Sequence, residues 1–124
     1  MIRFVLPILA ALSTPAPAQD MTSAELIEQN RSIALEVQNQ ILGCWSLPPG
    51  YEDRTISVRL AFFGNGALDG EPVLEPESEI VARRYPALIR SVAQAIESCL
   101  PFSGLEALGA QADERFDITV QFQS

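Results

Sequence analysis

The chain has 124 residues and a net charge of −8, with sixteen acidic residues, eight arginines, no lysine and no histidine. That length fits one domain with a modest core that gains from a covalent staple. So acidic a chain carries no basic footprint for nucleic acid, is repelled by anionic lipid and favours a basic partner, and without histidine it lacks a near-neutral general base, so an enzyme is not expected.

The first stretch reads as an export signal. Arg3 precedes an apolar run from Phe4 to Leu12, and Ala16-Pro17-Ala18 is a small-residue cleavage site. A spanning helix needs about 20 apolar residues, roughly twice this run, and Pro7 interrupts it. A signal peptide over 1–18 is expected, cut after Ala18, with a mature domain over 19–124 and no stable membrane insertion. Two cysteines in an exported chain are expected to pair, so Cys44 and Cys99 form one disulfide. Closing a loop of about 55 residues stabilises the fold by roughly 3–5 kcal/mol. There is no Cys-x-x-Cys pair, and two cysteines without histidine make a poor zinc site. Neither a metal nor another cofactor is expected.

Thr22 or Ser23 caps a helix over Ala24–Leu42, with Glu25 in its first turn. Leu26, Ile27, Ile33, Ala34, Val37, Ile41 and Leu42 supply its apolar residues, and Gly43 is a natural stop. Pro48-Pro49-Gly50 forbids helix. Arg54–Phe63 alternates, with Ile56, Val58, Leu60 and Phe62 on the buried face. Gly64-Asn65-Gly66 is a hairpin signal. A three-residue loop pairs Phe62 with Leu68, Leu60 with Gly70 and Ile56 with Leu74, keeping apolar residues on one face. Pro72 cannot donate to a ladder, which makes the second strand an edge.

Glu75–Glu79 is acidic and turn-like. A loose helical turn is expected at Ile80–Arg84. The second main helix starts near Pro86, a good first-turn residue. Its stripe is Leu88, Ile89, Val92, Ile96, Cys99 and Leu100. Ser103–Glu114 is a loop with one helical turn at Leu105–Leu108. Phe116–Phe122 alternates strictly and is the third strand. A right-handed return over the helix places that strand beside the first, giving the order 2-1-3, antiparallel throughout. The expected fold is α+β, a two-layer sandwich with helices on one face of the sheet.

Cys44-Trp45-x-x-Pro48, Ile56-x-Val58-Arg59-Leu60, the Gly64–Gly66 hairpin, Ala95-Ile96-x-x-Cys99-x-Pro101-Phe102 and Phe116-Asp117-Ile118-x-x-x-Phe122 occur here in that order. Together they resemble the C-terminal domain of TolA, which shares its fold with TonB C-terminal domains. The resemblance spans about residues 24–122. It implies a periplasmic adaptor that contacts envelope proteins, Tol or Ton components among them, with partners adding a β-strand to its sheet. The transmembrane anchor and long helical spacer of TolA are not expected here, nor is force transmission across the periplasm. The second proline that relatives often carry after Phe102 is also absent.

The strand Phe116, Asp117, Ile118, Thr119, Val120, Gln121 and Phe122 is the candidate partner site. Asp117, Thr119 and Gln121 point outward, and neither proline nor lysine blunts the edge. The alternative is a short edge covered by the Ser103–Glu114 loop. A monomer or a weak edge-paired dimer is expected. Phe63 is a candidate surface aromatic; Trp45 is expected to pack on the disulfide. Asp69, Glu71, Glu75, Glu77 and Glu79 read as a solvated acidic loop, with a cation or basic partner as the functional alternative. A small periplasmic inhibitor or ligand carrier is the runner-up function.

Overall fold

In the computed structural model, which describes residues 21–123, the chain starts its first helix through a reciprocal cap. The Glu25 N–H donates to Thr22 Oγ1 at 3.1 Å, and the Thr22 N–H donates to the Glu25 carboxylate at 2.8 Å. This box satisfies two amides that helix geometry leaves without partners. The expected signal peptide 1–18 lies outside the described residues. Helix α1 then runs Ser23–Cys44. Gly43 is not the stop. The helix continues one residue further and ends where Trp45 turns extended.

Removing the cap with Thr22→Ala is expected to lower stability by about 0.5–2 kcal/mol in urea unfolding. The cap also has a pH signature. Its bonds to the Thr22 N–H and hydroxyl hold the Glu25 carboxyl below its ordinary 4.5. A depressed folded value means the contribution is present above pH 4.5 and disappears as pH falls through the lower value. The Thr22 amide resonance should therefore titrate with a midpoint below 4.5, and a midpoint at or above 4.5 would contradict the bond.

Ile33, Val37 and Ile41, spaced four apart, form the buried line of α1. Leu26 and Ile27, counted among the apolar residues of this helix, are exposed. The first turns of α1 lie beside the loop 105–114, where Gln29 approaches Gly109, and Ile33 is the first core residue. Strand β1 (Thr55–Phe63) buries Ile56, Val58, Leu60 and Phe62 as expected. The hairpin also has its expected three-residue loop. The Phe63 N–H donates to the Ala67 carbonyl at 2.9 Å, Phe62 faces Leu68, and Gly66 sits at φ +92°.

Beyond that point the expected register fails. Strand β2 is only Val73–Leu74, and Leu74 pairs with Val58 rather than Ile56. Gly70-Glu71-Pro72 inserts two extra residues, helped by Gly70 at φ +87° and by a proline that cannot donate. An offset of two preserves the side-chain face, so apolar residues stay inward while the chain bows away from β1. Where β2 ends, a 3-10 turn at Pro76–Ser78 takes over: Ser78 Oγ accepts the Ser57 N–H at 2.8 Å. This cover buries Ser57, which alternation alone would expose.

Helix α2 (Glu79–Arg84) and helix α3 (Pro86–Ser98) follow, with Pro86 opening α3 as expected. Leu88, Val92, Ala95 and Ile96 are the buried face of α3. Strand β3 (Arg115–Gln123) pairs with β1 along its whole length, from Thr55 with Gln123 to Phe63 with Arg115. The sheet order is β2-β1-β3, antiparallel, as the connectivity required. The protein is an α+β fold. Its core lies between the sheet and helices α1 and α3, where Phe62 stacks on Phe116 and meets Phe102 edge-on.

The Cys44–Cys99 disulfide is present and joins the end of α1 to the end of α3, with Cα atoms 6.2 Å apart. Trp45 packs edge-on against Phe122, 5.3 Å between centroids, and its indole N–H donates to Ser91 Oγ at 3.0 Å. It is half-buried and belongs to the structural clamp. Phe63 is also half-buried.

Candidate functional site

In an antiparallel ladder each residue points its N–H and C=O to the same side. The Ala61 and Ser57 carbonyls accept from Asp69 and Glu75, so the odd residues of β1 bond toward β2. Its even residues therefore bond β3, through Phe116, Ile118, Val120 and Phe122. The main-chain groups of Arg115, Asp117, Thr119, Gln121 and Gln123 are left facing the open side. No described residue bonds those backbone groups. The sheet thus presents an open edge nine residues long.

The Ser103–Glu114 loop does not cover it. That loop and the residue before it bond the hairpin tip: the Gly64 N–H donates to Glu114, the Asn65 N–H to Ala112, and the Phe102 N–H to Gly66. Its start is tied to α1, because the Gln40 side chain donates to the Ser103 carbonyl and accepts its N–H.

The seven candidate residues divide by parity. Phe116, Val120 and Phe122 are core, and Ile118 is partly buried; a partner would not reach most of their side chains. Asp117, Thr119 and Gln121 are exposed in both side chain and backbone. On the outer face Arg59 lies 3.7 Å from both Glu75 and Asp117, and Arg115 bridges Asp69 and Asp117. The hydrogen bond that Arg115 Nε donates to the Asp69 carboxylate raises the guanidinium above its usual value. Two members of the acidic segment, Asp69 and Glu75, are thereby ion-paired rather than free. Among the described residues no three acidic or cysteine side chains converge as a metal site. No described helix is long and apolar enough to cross a membrane.

Sequence reasoning missed what flanks the edge. Asn30, Arg31 and Ala34 of α1 line a groove of about 420 Å³ with Arg115–Thr119. Ile27 and Leu35 lie four residues either side of Arg31, hence on the same helix face. They are 68% and 50% exposed. The signal was available: both fall off the Ile33–Val37–Ile41 line that the core uses. A second groove, about 550 Å³, was also missed. It lies between β2 and α3, between Val58, Leu68 and Leu74 on one side and Ile89, Val92 and Ile96 on the other, with Glu71 and Glu97 also in its lining. The two extra residues at Gly70–Pro72 form part of its wall.

No curated protein and no solved structure matches the chain. A family model matches residues 28–124, which contain β1, β2, β3, α2, α3 and most of α1. The chain belongs to the family described as Uncharacterised conserved protein UCP034077.

Proposed function

We propose that the protein is a periplasmic adaptor of the TolA/TonB C-terminal type, which binds an envelope protein by β-strand addition to β3. The observation that carries this reading is the open edge of β3, with its backbone groups turned outward beside the α1 groove. Strand addition draws affinity from main-chain hydrogen bonds and specificity from alternate side chains. A strand laid along β3 would place every second side chain against Ala34 and the exposed Ile27 and Leu35. The export signal and the Cys-Trp and Ala-Ile-x-x-Cys-x-Pro-Phe segments add the periplasmic, Tol- or Ton-associated setting. In this reading the protein is not an enzyme.

Crosslinking in intact envelopes followed by affinity purification tests the proposal. An envelope protein should be recovered with the wild type and lost with Thr119→Pro. That substitution removes an N–H that faces the open side and leaves the β1–β3 ladder intact, so the far-UV spectrum and unfolding midpoint should change little. Equal recovery with the variant would refute binding at β3. A small-ligand carrier is the second reading, favoured by the apolar groove between β2 and α3, whose volume suits a small molecule. Amide-shift mapping separates the two: a protein partner moves Asp117, Thr119 and Gln121, whereas a ligand moves Leu68, Leu74 and Ile89.

A further inference from the structure

The residues of β3 carry a symmetry that points to one occupant of the open edge. Its outward-facing residues are the odd-numbered ones, so an added antiparallel strand must pair odd with odd across the new seam. If that strand is β3 of a second copy, a two-fold axis at Thr119 sets Arg115 opposite Gln123 and Asp117 opposite Gln121. On the helix face it sets Phe116 opposite Phe122 and Ile118 opposite Val120. No charge meets a like charge, apolar residues meet apolar residues, and all nine residues of each strand are paired. Moving the axis to Asp117 would set that carboxylate against its own copy. Axes at Ile118 or Val120 leave two residues of each strand unpaired.

We infer that the protein forms a two-fold homodimer through β3, centred on Thr119. The result is a continuous six-stranded sheet, β2-β1-β3 joined to its symmetry mate. This names a partner for the edge proposed above and rests on that reading of β3 as open to strand addition. A two-fold contact of this kind uses the same patch twice and therefore closes, leaving no further β3 edge to recruit another chain. That matters because an unpaired edge without proline or lysine is otherwise a template for uncontrolled association. The exposed Ile27 and Leu35 add apolar surface beside the seam, one set from each copy. A heterologous partner strand would compete with self-pairing for the same backbone groups.

The charge register supplies the test, on the disulfide-bonded protein by sedimentation equilibrium. Gln121→Asp puts a carboxylate opposite Asp117 at two places in the dimer, and Gln121→Arg puts a guanidinium there. The first should weaken and the second tighten the dimer, each by about 2- to 30-fold. With the axis at Ile118, Gln121 would face Arg115 and the signs would reverse. Crosslinking gives an independent reading. Thr119→Cys sets the residue opposite itself at about 5.5 Å between Cα atoms, within disulfide reach. Asp117→Cys sets the two copies of position 117 about 14 Å apart, out of reach. Thr119→Cys should therefore yield a covalent dimer on mild oxidation, and Asp117→Cys should not.

A protein that stays monomeric to about 1 mM overturns the homodimer. So do equal crosslinking at both positions and charge variants that shift association the same way. The strand-addition reading fails separately, when partner recovery does not depend on Thr119.

Discussion

Replacing Cys44 and Cys99 together by serine is expected to lower stability by about 2–5 kcal/mol. For a domain of this size that moves the melting midpoint down by on the order of 10–40 °C. The large effect has a geometric source. The bond spans 55 positions and joins the C-terminal ends of α1 and α3. With it, the unfolded chain loses the freedom of a long loop. Beside this bond Trp45 packs on Phe122 of β3 and donates to Ser91 of α3. Loss of the bond therefore also loosens the tryptophan. Wild-type protein melted in excess dithiothreitol should match the double-serine variant, and tryptophan fluorescence should report the same transition. Reduced protein melting within about 2 °C of oxidised protein would show that packing alone clamps the helices.

Much of this architecture could be read from residue spacing, and the failures have physical causes. Strict alternation revealed β1 and β3, because each has one face on the core. Pro86 and the Leu88–Ile96 spacing gave α3, and connectivity then left few places for β3. The hairpin loop was legible from Gly64-Asn65-Gly66. The β2 register was not, because an insertion of two leaves the alternation of faces unchanged and so erases its own signal. The burial of Ser57 was hidden for a related reason: its cover is Ser78, twenty-one positions away and outside any ladder. In α1 the apolar residues exceed what one core line needs. Ile27 and Leu35 belong to the surplus, and only the placement of β3 showed that this surplus borders the open edge. The candidate strand itself was found in sequence, but parity decides which of its atoms a partner can reach, and parity depends on which side β2 occupies.

Gly66→Ala is expected to lower stability by about 2–4 kcal/mol, from left-handed strain, one lost hydrogen bond and collision. At φ +92° any side chain is strained, and a Cβ here would run into the Phe102 carbonyl oxygen and lie 2.7 Å from its nitrogen. The Phe102 N–H donates to the Gly66 carbonyl at 3.0 Å, so relieving the collision breaks the bond. Two other glycines separate the contributions. Gly70, at φ +87°, has nothing within 4 Å of an added Cβ, so Gly70→Ala reads strain alone, about 1–2 kcal/mol. At Gly64 the φ is ordinary for any residue, yet an added Cβ would strike the Gln111 carbonyl, so Gly64→Ala reads collision alone. If Gly66→Ala costs no more than Gly70→Ala in urea unfolding, the close approach to Phe102 is not rigid. The consequence reaches the edge strand. Gly64, Asn65 and Gly66 are the points at which the hairpin holds the segment from Phe102 to Glu114, and Arg115 begins β3 directly after it. Among the amides that β3 bonds to β1, loosening that clamp should raise exchange first at Phe116 and least at Phe122, which packs on Trp45. The proposed partner binding and self-pairing through β3 should then weaken without any change to an edge residue.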